Sequence, residues 1–213
     1  MRKLLRAIVA ATLPVSYHDT KRDPVLYLTF DDGPTRNTLQ TLEVLARYAV
    51  PATFFVLGKR IAGNESILAK VHAAGHGIGN HSFSHQSARK LNYTKLSADL
   101  DHCTEQIRKV VPEWQPSLYR PPYGDLSLSY FRFALARRAR VIMWSRDAVD
   151  YRAQTPGAIL DRLAGLQNGD ILLFHDEFPK TTTALNTLIP LCLSQGFRFA
   201  RIQEINNRRM SGR

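Results

Sequence analysis

The feature that most constrains the fold is an alternation of short apolar runs with helical patterns along the chain. The helical patterns begin after Thr94 and at the Thr155-Pro156 pair, and two more cover 38–48 and 65–74. The β-prone runs lie before, between and after these helices, at 25–30, 52–57, 76–80, 117–120, 140–144, 170–174 and 197–200. Strands that alternate with helices predict a parallel sheet with covered faces, in a barrel or a doubly wound arrangement.

The clearest helical pattern combines regular spacing with an apolar face. Its apolar residues recur at steps of four and three and line one side of a helix: Leu96, Leu100, Cys103, Ile107 and Val110. The helix that opens at Thr155-Pro156 has an N-cap residue followed by proline at the first helical position. Cys103 and Cys192 both lie in apolar surroundings and are predicted to be buried thiols, with no reason in the sequence to pair.

One domain is predicted over residues 25–205, between an N-terminal extension, 1–24, and a basic tail, 206–213. The extension combines positive charge with a short apolar stretch from Ala7 to Val15, as a signal peptide does, but Arg6 interrupts the run and no clear cleavage site follows. A short packed or frayed helix is therefore preferred there. No segment approaches the roughly 20 apolar residues that span a bilayer, and a cytoplasmic monomer is expected.

The chain is basic, with 29 Lys and Arg against 18 Asp and Glu, a formal charge of +11. The positive residues are scattered, and their densest clusters are Arg137, Arg138 and Arg140 and the tail residues Arg208, Arg209 and Arg213. Neither an RNA-binding signature nor the Cys and His spacing of a zinc finger is present. The charge therefore predicts a solvated basic surface rather than a nucleic-acid partner, while an anionic envelope polymer remains open.

Polar, titratable residues follow five of the predicted strands. Active sites of parallel α/β folds gather where strands end and loops begin, so this shared placement predicts a catalytic site at that edge of the sheet. The residues, in chain order of the five strand ends, are Asp31 and Asp32, His81 and His85, Arg120, Asp147 and Asp150, and His175 and Asp176.

The stretch HSFSH at 81–85 is a candidate for binding a metal ion. If it is helical, His81 and His85 project from one face and can meet one cation. A carboxylate from Asp31 or Asp32 would complete a set of two imidazoles and one carboxylate, which suits zinc or a similar divalent ion and leaves positions open for water and substrate. One aspartate could then bind the metal while its neighbour takes a proton from the water, whose pKa the metal lowers.

Five motifs in the same order resemble those of the NodB-type polysaccharide deacetylases, carbohydrate esterase family 4. They are LTFDDGP, HSFSH, RPPYG, WSRDAVDY and LLFHD, supported by PATFFVLG at 51–58 and GHGIGNH at 75–81. The likeness extends from about residue 25 to residue 200. It implies a distorted (β/α) barrel and a metal-dependent hydrolysis of N-acetyl groups from N-acetylglucosamine units.

The resemblance also implies a role for the motif residues that activate the water. Asp31 would be the general base, and Arg120 would hold it ionised and oriented. The metal, most simply zinc, would be bound by Asp32, His81 and His85.

The remaining motif residues would stabilise the oxyanion and protonate the leaving group. The backbone N–H of Tyr123 would help to stabilise the oxyanion, and His175 would protonate the departing amine. An aspartate of the fourth motif would raise the pKa of His175; both Asp147 and Asp150 are candidates, and Asp150 is preferred. Tyr151 stands where family members often have tryptophan, so substrate preference could differ while the chemistry is kept.

The simplest substrate implied is a chito-oligosaccharide, because no appended carbohydrate-binding or anchoring domain accompanies the motifs. A peptidoglycan N-acetylglucosamine deacetylase is the closest alternative, since wall polymers are anionic and the chain is basic. An O-acetyl-xylan esterase would use the same machinery. A catalytically inactive glycan-binding protein is the non-enzymatic alternative, and it is disfavoured because every expected catalytic position is filled.

Overall fold

The computed structural model describes residues 15–19 and 23–205. In this part of the chain nine strands form one parallel arrangement, in the order β1-β6-β5-β4-β3-β2-β8-β7, with β9 paired to β2. The strands are β1 (Val15–Ser16), β2 (Val25–Asp31), β3 (Thr53–Val56), β4 (Gly77–Asn80), β5 (Leu118–Tyr119), β6 (Arg140–Ile142), β7 (Arg146–Asp147), β8 (Ile171–His175) and β9 (Arg198–Phe199).

Within the described residues, six α-helices lie between the strands. They are α1 (Arg36–Arg47), α2 (Glu65–Ala73), α3 (Tyr93–Val110), α4 (Leu128–Ala136), α5 (Pro156–Arg162) and α6 (Pro179–Ser194). The strands and the four helices predicted from the sequence are confirmed, although α5 ends at Arg162, before the apolar pattern does. In α5, Thr155 caps the helix by accepting a hydrogen bond from the backbone N–H of Ala158 at 3.2 Å.

The sheet curls because the connection between β6 and β7 is short. These strands lie near opposite ends of the strand order, yet only residues 143–145 separate them. In a flat sheet the distance from β6 to β7 would be about 29 Å, the sum of the strand spacings between them. The segment that connects the two strands can span only about 14 Å. The strand order therefore requires an incomplete barrel, which confirms the predicted distorted (β/α) barrel.

Strand β2 shows how the two sides of the barrel wall differ. Successive side chains of a strand point to opposite faces. Leu26, Leu28 and Phe30 belong to the core between the sheet and the helices, whereas Val25 and Tyr27 belong to the cluster inside the barrel. Asp31, which ends the strand and is only 3% exposed, continues the inner set. The alternation therefore brings a carboxylate to the mouth of the barrel.

The sheet begins earlier than the predicted domain boundary at residue 25. Val15 and Ser16 form β1 and pair in parallel with Val141 and Ile142 of β6. Residues 1–14 and 20–22 of the predicted N-terminal extension and the basic tail, 206–213, lie outside the described residues. In the part of the chain that is described, no helix is long and apolar enough to cross a membrane.

Two of the three arginines in the basic cluster near α4 make contacts within the protein. Arg137 pairs with Asp101 at 2.7 Å, and Arg140 donates to the carbonyl oxygens of Ile202 and Ile205. The three arginines therefore do not form one free basic patch. Both cysteines are buried free thiols, as predicted.

Candidate active site

Strand register brings the ends of β2 and β8 together. Asp31 is the residue of β2 that lies opposite His175 of β8, and on its other side it lies opposite Phe55 of β3. Two residues far apart in sequence thus meet at the mouth of the barrel because their strands are hydrogen-bonded neighbours. The predicted general base and general acid are therefore placed next to each other by the sheet itself.

Arg120 anchors Asp31 inside the barrel. Its Nη1 atom lies 2.7 Å from Asp31 Oδ1, and the two side chains are 0% and 4% exposed. The other guanidinium hydrogen bonds go to Thr29 Oγ1 and to the carbonyl oxygens of Ile142 and Met143. A charged pair so far from water is stable only when its donors and acceptors are satisfied in this way. Asp31 is thereby fixed in one orientation, with its Oδ2 atom left toward the mouth of the barrel.

Asp32, His81 and His85 converge as a candidate metal centre. Asp32 Oδ1 lies 3.5 Å from Nε2 of His81 and 3.3 Å from Nε2 of His85. One ligand atom from each residue lies within 4.8 Å of the others. The Nδ1 atom of His81 is 2.8 Å from the carbonyl oxygen of Arg120, so its proton belongs on Nδ1 and leaves Nε2 free to bind an ion.

The stretch HSFSH is not helical, so the condition under which its histidines would share a helix face is not met. Ser82 and His85 have positive φ angles of 73° and 62°, which no α-helix contains. Asn80 Oδ1 accepts from the N–H of Ser82, and Ser82 Oγ accepts from the N–H of His85. These side-chain hydrogen bonds turn the backbone so that both imidazoles still face Asp32.

The donor set fits a divalent cation. Asp32 Oδ1 is buried and makes no hydrogen bond within the described chain, although buried oxygens are normally paired. Burial raises the pKa of Asp32, but attraction to the protonated forms of His81 and His85 more than offsets this and holds it below its ordinary value. Burial and the neighbouring His81 lower the pKa of His85 to about 4, so its imidazole is neutral, as metal binding requires.

His175 is paired with Asp150 rather than with Asp147. Its Nδ1 atom lies 2.7 Å from Asp150 Oδ1, while Asp150 Oδ2 accepts from the N–H of His175 and from Thr181 Oγ1. Burial by itself lowers the pKa of His175, but the hydrogen bond and the negative charge of Asp150 outweigh it and raise the pKa to about 9. Asp147 instead caps a turn by accepting from the N–H of Val149 at 2.9 Å.

Asp150→Asn is expected to move the alkaline limb of kcat/KM to lower pH. A group with a raised pKa stays protonated up to that pH, and removing the carboxylate lets the pKa of His175 fall toward its ordinary value. A smaller fraction of His175 is then protonated above neutral pH, so kcat/KM begins to fall at a lower pH. The check is a pH profile of kcat/KM, with Asp147→Asn as the matched control. An alkaline limb unchanged in Asp150→Asn would contradict the assignment.

Two exposed aromatic rings stand on opposite sides of the site. Tyr123 is 67% exposed and its ring lies 4.6 Å from that of His85. Tyr151 is 44% exposed and meets the ring of His175 edge-on at 5.3 Å. Tyr123 has a φ of 60°, so the loop after Arg120 turns sharply at this residue. The two rings therefore flank the site, Tyr123 beside the predicted ligand His85 and Tyr151 beside the predicted acid His175.

Two residues that shape the site, Arg60 and Glu177, were not predicted. Asp176, one of the predicted strand-end residues, is fully buried. Arg60 donates from Nη1 to the carbonyl oxygen of Asp32 at 2.7 Å and pairs with Glu177 at 2.6 Å. The sequence offers no signal for these contacts because they join loops that follow three different strands.

The chain matches a known family over more than half of its length. Residues 18–138 match the family described as polysaccharide deacetylase. A peptidoglycan-N-acetylglucosamine deacetylase from Bacillus cereus is 32% identical, over 95% of this chain and 97% of its own length. A chitooligosaccharide deacetylase from a Bradyrhizobium species is 28% identical, over 90% of this chain and 94% of its own length.

Solved structures with the same fold include both an enzyme and a pseudoenzyme. A peptidoglycan N-acetylglucosamine deacetylase superposes with a TM-score of 0.88 at 26% identity, over 92% of this chain and 94% of that one. A pseudoenzyme of carbohydrate esterase family 4 from Bacillus anthracis gives 0.84 at 25% identity, over 90% of this chain and 68% of that one. The fold alone therefore does not decide activity, but the match over residues 18–138 and the near full-length relatives agree: the chain belongs to the polysaccharide deacetylase family.

Proposed function

We propose that the chain is a metal-dependent deacetylase that removes N-acetyl groups from N-acetylglucosamine units of chito-oligosaccharides. The observation that carries the proposal is the convergence of five residues from three separate motifs at the mouth of one barrel. Asp32, His81 and His85 bring their ligand atoms within 4.8 Å of one another, while Asp31 and His175 lie opposite each other in the strand register. This is the set of groups that hydrolysis of an unactivated amide requires.

Zinc is the ion that we propose for the three ligands. Two imidazoles and one carboxylate form a common set in catalytic zinc sites, which keep further positions open. Here Asp32 Oδ1, which makes no hydrogen bond within the described residues, lies between His81 Nε2 and His85 Nε2. When bound, such an ion polarises water and the acetyl carbonyl as a Lewis acid.

The base is Asp31, and its two oxygens have different tasks. Oδ1 is occupied by Arg120 Nη1 at 2.7 Å. Oδ2 lies 3.6 Å from His81 Nε2, beside the metal ligands. Oδ2 is therefore the oxygen that takes a proton from the water that attacks the acetyl carbon. Arg120 prevents the carboxylate from rotating away from this position.

The acid is His175, which donates a proton to the nitrogen of the sugar as the carbon–nitrogen bond breaks. The new carbon–oxygen bond comes from water, so the products are acetate and a free amine. Asp150 holds the imidazole through Nδ1, which leaves Nε2 as the nitrogen that carries the transferred proton. The backbone N–H of Tyr123, a residue whose ring packs against that of the proposed metal ligand His85, is proposed to donate to the developing oxyanion.

Peptidoglycan is the second candidate substrate. A curated relative that aligns over nearly its full length carries that activity in its name, as does a solved structure with a TM-score of 0.88. The formal charge of +11 also suits an anionic wall polymer. Monomeric state and cytoplasmic location stay predictions of the sequence.

The two substrates are separated by a direct comparison of products. Purified protein loaded with zinc is incubated with chitotetraose, with purified peptidoglycan and with acetylxylan, and released acetate and free amines are quantified. We expect acetate and amine in equal amounts from chitotetraose, with mass spectrometry of the product fixing which sugar is deacetylated. Turnover of peptidoglycan alone would favour the second candidate, acetate without amine would indicate O-deacetylation, and no acetate from any substrate would contradict a deacetylase.

A further inference from the structure

The backbone of Asp32 is held in a conformation that the residue does not favour. Its φ of 73° lies in the left-handed region, which costs a non-glycine residue free energy and persists only where the surroundings fix it. This conformation aims the side chain at His81 and His85. Whatever holds the backbone of Asp32 therefore also sets the direction of its carboxylate.

Arg60 is the side chain that contacts this backbone. It ends the short 3₁₀ turn Gly58–Arg60 after β3, and its Nη1 atom donates to the carbonyl oxygen of Asp32 at 2.7 Å. The same Nη1 lies 2.6 Å from Oε2 of Glu177, two residues beyond His175. Arg60 and Glu177 are 32% and 27% exposed, so both are mostly shielded from water. Arg60 thus ties the turn at Asp32 to the loop that carries the proposed acid.

The other side of the same turn is closed by Asp176. A Cβ atom on Gly33 would come within 2.7 Å of Asp176 Oδ2, so the carboxylate is packed directly against the turn. The backbone carbonyl of Asp176 accepts from Asn37 Nδ2 and its Oδ2 accepts from Thr38 Oγ1, which fixes Asp176 to the start of α1. Because Asp176 fixes one side of this turn, the restraint on its exposed side comes from Arg60.

We propose that Arg60 is a positioning residue for the metal centre, and that Glu177 positions Arg60. The hydrogen bond from Arg60 keeps Asp32 in the backbone conformation that presents Oδ1 to a cation shared with His81 and His85. The inference rests on the proposed metal-dependent function. Neither Arg60 nor Glu177 belongs to any of the motifs that identify the family in this sequence.

A positioning role and a purely electrostatic role of Arg60 predict opposite changes in zinc affinity when Arg60 is replaced. This difference makes the inference testable. A guanidinium near the site repels a divalent cation, so removing its charge alone would tighten zinc binding. Loss of the restraint on Asp32 instead weakens zinc binding. Outer partners that orient a ligand typically change metal affinity about tenfold or more when they are removed.

The experiment measures the Kd of metal-free protein for Zn²⁺ by competition with a chromophoric chelator. Arg60→Met is expected to bind zinc about tenfold more weakly, with Glu177→Gln weaker by a smaller factor and Arg60→Lys between Arg60→Met and the unsubstituted protein. Arg198→Met is the matched control, because Arg198 pairs with Asp23 on an exposed surface where both side chains are more than half exposed. Its zinc affinity is expected to stay unchanged. On the zinc-loaded enzyme, kcat is expected to fall in Arg60→Met with little change in KM.

Unchanged or tighter zinc binding in a folded Arg60→Met protein would overturn the inference. If Arg60→Met does not fold, the zinc affinities of Glu177→Gln and Arg60→Lys are measured instead. Unchanged zinc affinity in both variants would also overturn the inference. Failure of the unsubstituted protein to bind zinc would instead refute the proposed function, and the inference with it. An activity loss in Arg60→Met without a change in zinc affinity would also count against positioning of Asp32.

Discussion

Asp31→Asn is expected to lose roughly 10³-fold or more of its deacetylase turnover while keeping its metal. The amide oxygen of asparagine can still accept the hydrogen bond that Arg120 Nη1 now makes to Asp31 Oδ1 at 2.7 Å. The amide cannot take a proton from water, so only the base is lost. The substitution leaves the three proposed ligands, Asp32, His81 and His85, in place. The zinc affinity of the variant should therefore remain within a few-fold of that of the unsubstituted protein.

The check is acetate release from chitotetraose together with zinc content after dialysis. A thermal unfolding scan serves as the control, because a folded, metal-loaded and inactive variant isolates the chemical role. Near-full activity in Asp31→Asn would refute Asp31 as the base. Loss of the metal in this variant would instead indicate that Asp31 is a ligand, an alternative that the sequence alone left open.

Arg120→Met is expected to give the largest loss of stability, about 3–5 kcal/mol of the free energy of unfolding. Methionine fills part of the volume but leaves Asp31, whose side chain is 4% exposed, as a buried charge without its partner. Thr29 Oγ1 and the carbonyl oxygens of Ile142 and Met143 also lose a donor. Urea unfolding followed by circular dichroism measures the effect.

The double variant Arg120→Met with Asp31→Asn distinguishes the buried charge from lost packing. Removing the carboxylate charge should restore part of the stability, because the unpaired ion is then absent. Arg198→Met, which breaks the exposed pair with Asp23, should cost less than about 1 kcal/mol. A loss below about 1 kcal/mol in Arg120→Met as well would contradict the structural role of the buried pair.

The sheet and most helices could be predicted because their signals are local. The run at 25–30 is apolar and β-prone throughout, and the structure buries the whole of β2. The helix α3 carries its apolar residues at helical spacing, and Leu96, Leu100 and Cys103 are all buried. Since parallel strands end at one edge of a sheet, the polar residues after each run could be assigned to one site before their distances were known.

What was missed depends on contacts between distant segments. Helix α6 was not predicted, because its start is rich in threonine and Pro190 lies inside it. The stretch HSFSH has helical spacing, but hydrogen bonds from Asn80 and Ser82 turn it into a loop. The choice between Asp147 and Asp150 depended on the path of the segment that follows β7 and runs beside β8, which residue types alone do not determine.

The central claim is that Asp32, His81 and His85 hold one divalent ion beside Asp31. The most direct test is a crystal structure of the zinc-loaded protein, with anomalous scattering recorded at the zinc edge. The account predicts a single strong peak, with Asp32 Oδ1, His81 Nε2 and His85 Nε2 each about 2.0–2.2 Å from the ion and Asp31 Oδ2 close to it without binding it. An ion bound elsewhere, or bound without one of these three atoms, would contradict the account.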